Sequence, residues 1–340
     1  MKKQWEYKYP DRLFEAMVSE DHVLIDDELF FVHMTNGRYP NAGIYCVNTA
    51  TGEARTVLEM HDFLRIIGAS DGSAFFFTSL RGNAYCVRGD GTLRWERQLG
   101  KKTGSASWDV ALDGDRLYMA QDALYCLNPQ TGETVWASQK RDALNRVNAL
   151  LAEETRVYCA MQGFHLYCAD KGTGRTVWTY EVDTWWRNVV SFDPDTLLCT
   201  DTHGRYLFLD KNDGHLIHEA AAGGKLMRRP VPLDGTVLVG ENPQSPKGRL
   251  VRYAVDDSYR MEPLFEVPAT GAVTSEPVVV GDRVLFGTED GSVYCVHRDT
   301  GDELERKRKV KGACRGIVPF GETIIALSDK GPATAFSVGK

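Results

Sequence analysis

The sequence predicts an all-β fold, a single eight-bladed β-propeller of four-stranded antiparallel blades spanning residues 1–340. Two observations predict it. A Tyr-Cys phrase recurs at nearly constant spacing, and glycine-bearing turns separate short apolar runs of strand length. A third closes the ring, because the first residues read like the strand that the last repeat lacks.

The phrase stands at Tyr45-Cys46, Tyr85-Cys86, Tyr125-Cys126, Tyr167-Cys168 and Tyr294-Cys295, with weaker copies around Phe208, Arg252 and Phe336. These eight positions lie 40 to 44 residues apart, a period that marks a repeat architecture. Each unit has the same order. An apolar strand is followed by a turn such as Asp113-Gly114-Asp115, then by a second strand such as 116–119. A polar turn leads to the Tyr-Cys strand. A Thr-Gly turn (Thr51-Gly52, Thr131-Gly132, Thr173-Gly174, Thr300-Gly301) then leads to a fourth strand, which carries Trp95, Trp136 or Trp178. Tight hairpins require positive φ, which glycine adopts without steric cost. Four short strands per unit describe a propeller blade.

The eighth unit ends at Val338-Gly339-Lys340, just after its third strand. At the other end, Gln4-Trp5-Glu6-Tyr7 resembles the fourth-strand segments Arg94-Trp95-Glu96-Arg97 and Val177-Trp178-Thr179-Tyr180. Residues 3–9 are therefore expected to complete the eighth blade with residues 313–338, which leaves no sheet edge open between the ends.

Composition narrows the function classes. The formal net charge of −7 argues against general nucleic-acid binding, which needs a basic surface. No stretch approaches the ~20 apolar residues of a membrane span, and no apolar run follows Lys2-Lys3 as a secretory signal requires. Five of the eight cysteines share one repeat position, and equivalent positions in successive blades are too far apart to bridge. Free, buried thiols in a reducing cytoplasm are the expectation, and a monomer with them.

The segments from Asn128 through Thr131-Gly132-Glu133 to Trp136 and from Asp170 through Thr173-Gly174-Arg175 to Trp178 resemble the tryptophan-docking repeat of the pyrroloquinoline-quinone-type, quinoprotein-like propellers. Asp90-Gly91-Thr92 with Trp95 is a looser copy. The resemblance covers the whole chain at the level of repeats, and it implies that each indole stacks between neighbouring blades. The same slot holds Thr56, His218, Phe265 and Glu305 in blades 1, 5, 6 and 7, so uneven interfaces are expected there. The family's dehydrogenases carry a vicinal cysteine pair beside their quinone. This sequence has no adjacent cysteines, so no cofactor is expected, pyrroloquinoline quinone included. The resemblance then points to the non-catalytic branch, which includes a scaffold lipoprotein of outer-membrane barrel assembly. The lipidation signal of that relative has no counterpart here.

Motifs with chemistry mostly dissolve into turns. Gly68-Ala69-Ser70-Asp71-Gly72 has the letters of a nucleophile elbow, but an apolar strand follows where a helix is required. Asp210 to Gly214 opens like a calcium loop and lacks the distal glutamate. The eight histidines show no metal spacing, so no catalytic or metal residue is assigned.

One constellation remains. The segment leading into each innermost strand lies at the rim of the central channel. Aligned there are Asp21, Arg65, Trp108-Asp109, Arg146 with Asn148, Arg187-Asn188, Arg228-Arg229, Ser275-Glu276 and Arg315, with Trp185-Trp186 alongside. Converging guanidinium groups suit bidentate capture of carboxylate or phosphate, and aromatic neighbours add a stacking surface. The candidate ligand-binding rim is thus Arg65, Trp108, Arg146, Asn148, Trp186, Arg187, Arg228, Arg229, Glu276 and Arg315. The same arginines could instead pair with Asp21, Asp109 and Glu276 in the ring. The expected function is a non-catalytic binding or scaffold propeller that recognises a protein, a peptide or a small anionic ligand at the channel mouth. The alternative is an enzyme acting on an anionic or carbohydrate substrate in that channel. A third reading puts the interaction on blade edges.

Overall fold

The repeat pattern becomes eight antiparallel sheets in a computed structural model, which describes residues 1–7, 16–35, 42–60, 64–79, 81–99, 109–138, 147–161, 164–226, 228–244, 247–330 and 333–337. Every regular element among them is a strand. Blades 1 to 7 occupy residues 16–60, 64–98, 111–137, 147–181, 186–221, 225–269 and 278–309, each sheet following chain order from the channel outward. Inner strands of successive blades touch around most of the ring, and the inner strand of blade 1 touches that of blade 8, so the ring is closed. Blade 6 departs from the four-strand plan. Its inner strand is broken into Lys225–Leu226 and Val231–Leu233, both paired with Thr236–Gln244.

Both faces of each blade are covered by neighbours, which is why the middle strands are apolar at successive positions instead of alternating. In blade 4, Tyr158 and Ala160 face blade 5, whereas Val157, Cys159 and Met161 face blade 3. All eight cysteines are buried and free. Burial pushes the thiols of Cys86 and Cys126 up to about 11 and that of Cys168 to about 12, so they behave as apolar filler.

Tryptophan docking lies where the repeats place it. The indole N–H of Trp95, Trp136 and Trp178 donates to the carbonyl of Pro129, Lys171 and Lys211 in the next blade at 2.8, 2.9 and 3.0 Å. Each ring lies against the glycine three residues further on, where no Cβ could fit: one built on Gly174 would meet Trp136 at 2.3 Å. Trp5 docks in the same way, donating to Thr49 at 3.0 Å beneath Gly52. Its strand, Lys2–Glu6, pairs with Thr334–Ser337 of blade 8, and Tyr7 N–H continues to Ala333. Residues 8 and 9 of the expected closing strand, and residue 338, lie outside the described residues.

The slots without tryptophan use other chemistry. In blade 6, Phe265 fills the ring position against Gly301, and Arg252 from the adjacent strand donates to the Arg298 carbonyl at 2.8 Å. In blade 1, Arg55 donates to Gly89 of blade 2 at 2.8 Å. Between blades 5 and 6 the direction is reversed. Tyr259, at φ 61° in the blade 6 turn, packs back onto Phe192 and Phe208 and shares a 2.8 Å hydrogen bond with Thr196. Glu305 of blade 7 is paired with Arg283 at 2.9 Å.

Candidate functional site

The rim is built by backbone irregularity. Inner-strand ladders are interrupted between Leu64 and Ile66, Val147 and Ala149, Trp186 and Asn188, and Cys314 and Gly316. The extra residues at these bulges are Arg65, Asn148, Arg187 and Arg315. A bulge re-aims a side chain out of the ladder, so in blades 4, 5 and 8 this repeat position becomes a rim position. In blade 6 the strand breaks outright at Arg228-Arg229-Pro230, and proline supplies no ladder donor.

Strand pairing corrects the alignment in two blades. Leu226 opposite Glu241 and Val273 opposite Thr288 match Cys314 opposite Ser328. The equivalents of Arg315 are therefore Met227, outside the described residues, and Thr274. Arg228, Arg229 and Glu276 lie one or two residues further along. The broken strand in blade 6 and the three-residue inner strand in blade 7 remove the periodic cue that alignment needs.

Several rim residues lace the blades together. Asn148 donates to the Trp186 carbonyl and Asn188 to the Arg228 carbonyl, the latter at 3.2 Å. Arg228 Nε donates to the Thr274 carbonyl, and Thr274 donates to Cys314 O at 2.7 Å. Blades 4 to 8 are thus stitched one to the next. Trp186 belongs to the same fabric. It is fully buried, its indole donates to Phe164 at 3.0 Å, and it stacks edge-on with Tyr180. It offers no face to a ligand, contrary to the sequence expectation, and the exposed member of the pair is Trp185. A tryptophan at the first residue of a bulged strand points between blades, and only the next position turns to the channel.

The remaining charges converge. Arg229 reaches Asp109 of blade 3 at 2.9 Å, and the same carboxylate accepts the N–H of Leu150 at 2.8 Å and of Val110 at 2.9 Å. Burial pushes the Asp109 carboxyl up, against the pull of Arg229 and these N–H groups. Glu276 is open to channel water, yet the enclosing protein pushes its carboxyl up as well, with Asp109 adding to the rise and Arg229 and Arg228 opposing it. Burial, then Arg315, lowers Arg228 to about 9. Arg315 is paired with Asp329 at 3.1 Å. Arg187 differs from all of these: it is half-buried, its Nε has no hydrogen-bond partner, and its guanidinium is pushed down by desolvation.

Of the sequence-derived rim residues, Asn148, Arg187 and Arg315 lie at the inner-strand bulge, and Arg228, Arg229 and Glu276 lie within two residues of the equivalent position, with Arg228 buried. Trp108 and Arg146, and the side chains of Asp21 and Arg65, lie outside the described residues. Thr274 and Asp329 were missed; counting back from the hairpin at Thr288 would have found the first.

The family described as outer membrane protein assembly factor BamB matches residues 40–147, 81–184 and 126–339, overlapping spans that together take in residues 40–339. Among solved structures, the chain is similar to BamB from Moraxella catarrhalis, with a TM-score of 0.70 and 17% identity over 99% of each chain. It is similar to the computationally designed Ika8 protein, with a TM-score of 0.75 and 12% identity over 96% of this chain and 98% of that one. A europium-containing methanol dehydrogenase follows at 0.67 and 12%, over 97% of this chain and 85% of that one. At such identities the likeness carries the fold alone. No curated protein matches the sequence.

Proposed function

Because the chain belongs to the family of the outer membrane protein assembly factor BamB, a family of pyrroloquinoline-quinone-type propellers, we propose that it is a non-catalytic, protein-interacting scaffold whose channel mouth receives an anionic group. The group is a carboxylate or phosphate carried by a protein segment, a peptide or a small ligand. One observation carries this reading. Arg187 sits at a rim bulge, partly desolvated, with no partner on its Nε. A guanidinium in that state gains more from an anion than one already paired does.

The two carboxyls at the mouth do not argue for catalysis. Asp109 is engaged by two backbone N–H groups and Arg229, and burial is the first cause of the upward push on both acids. Structural clusters have the same signature. Nor do the residues fit pyrroloquinoline quinone: the cysteines are buried singly at strand positions, and the Arg229–Asp109 pair spans the mouth. A reducing compartment is the setting we propose for the eight unpaired thiols.

Titration with a tricarboxylate and with inorganic pyrophosphate tests the reading. Arg187→Ala should abolish the binding that the wild type shows, while Glu276→Gln should strengthen it by removing a like charge. Retained binding in Arg187→Ala overturns the channel mouth as the site.

A further inference from the structure

The outer strand of blade 7, Glu303–Lys309, carries four consecutive basic residues, Arg306-Lys307-Arg308-Lys309, and Lys311 follows. No other run of four basic residues occurs in the chain, whose net charge is −7. The outer strand of blade 6, Met261–Ala269, is the opposite, with Glu262, Glu266 and no basic residue. The basic run continues onto the next blade. Arg308 Nε donates to the Met1 carbonyl, which brings the strand against Lys2 and Lys3 at the start of the blade 8 outer strand. Lys2, Lys3, Arg308, Lys309 and Lys311 are all exposed. Of the acids nearby, Glu305 is engaged by Arg283, Glu6 by Lys3, and Asp290 by Lys309 at 3.2 Å, which leaves the Lys309 side chain 62% exposed.

We propose that this seam between the outer strands of blades 7 and 8 is a docking surface for an acidic, extended segment of a partner protein. The strand is a free edge, last in its sheet, so it can lie beside another chain. Its ladder is irregular on both sides of Cys295, so charge carries the recognition more than regular strand pairing does. Two other polyanions fit less well. Single-stranded nucleic acid is held on exposed aromatic platforms, and the one described aromatic at the seam, Trp5, is docked under Gly52. A bilayer surface is held stably when charge is joined by apolar insertion, and Leu304 is the lone large exposed apolar residue on the blade 7 strand.

Charge on an edge strand also guards against aggregation, and the experiment separates the two roles. A labelled peptide of Glu and Ser is titrated against the whole protein at low salt. The wild type should bind it, and Lys309→Glu with Lys311→Glu should weaken binding about tenfold or more, with an unchanged melting temperature. The double variant should bind the tricarboxylate as the wild type does, so this surface and the channel mouth can fail separately. Unchanged peptide binding in the double variant overturns the proposal. If that variant also aggregates, the run is an edge guard. Tighter wild-type binding to vesicles of anionic lipid, or to a single-stranded oligonucleotide, than to the peptide overturns the choice of partner.

Discussion

Arg229 of blade 6 donates to the Asp109 carboxylate of blade 3 at 2.9 Å, so one ion pair ties blades that are not neighbours in the ring. Asp109 is the anchored member, since it also accepts the N–H of Leu150 and Val110. Asp109→Ala strands two backbone donors as well as the guanidinium and should cost about 3 kcal/mol. Arg229→Ala removes a side chain that is 38% exposed and should cost about 1 kcal/mol. Chemical denaturation of both variants measures the difference, and equal losses would show that the backbone donors contribute little.

Glu276 sets a pH dependence whose sign follows from its raised carboxyl. A carboxyl raised in the fold binds its proton more tightly there than in the unfolded chain, so stability is lost as pH climbs through the folded value. Glu276→Gln should therefore raise the melting temperature at pH 7. The gain should shrink as pH falls toward the ordinary glutamate value of 4.5, where the wild-type side chain is itself protonated. A gain independent of pH would assign the effect to packing.

Trp178 separates ring from donor. Trp178→Phe keeps most of the ring and loses the 3.0 Å bond to Lys211, at a cost of about 1 kcal/mol. Trp178→Ala empties a slot that is only 8% exposed and should cost about 3–5 kcal/mol. Urea unfolding of the two variants compares them directly.

Arg252 and Phe265 together replace one tryptophan, so they should couple. Arg252→Met leaves the Arg298 carbonyl without its 2.8 Å donor and should cost about 2 kcal/mol. In a Phe265→Trp background an indole N–H can take that place, and the same change should cost about 1 kcal/mol less. Additive losses in the double-mutant cycle would mean that the indole does not reach the carbonyl.

The architecture was legible in the sequence because each blade spends the same turn chemistry on the same task. Glycines at 52, 132 and 174 mark the turns, and Trp5 marks the closing strand by its likeness to Trp95 and Trp178. The rim was only half legible. Arg65, Asn148, Arg187 and Arg315 fell on one bulge position, and the bulge itself leaves no mark in the letters. Trp186 looked like a rim aromatic because bulging reverses which of two adjacent residues faces inward. Tyr259 carried no signal either: it takes the left-handed conformation that glycine takes elsewhere, and only its ring contacts with Phe192 and Phe208 explain why.

The pairing of Lys2 with Ser337 has a consequence for synthesis. The strand Lys2–Glu6 is made before the blades that follow it, and it must stay unpaired until its partner, Thr334–Ser337, has been made. Seven blades can assemble in order behind it, each on a local contact. The final latch is the longest-range strand pairing among the described residues, and long-range contacts form slowly. A circular permutant that joins residue 340 to residue 1 and opens the chain between two blades would turn that latch into a local hairpin, and the nascent ring would no longer wait for its own beginning.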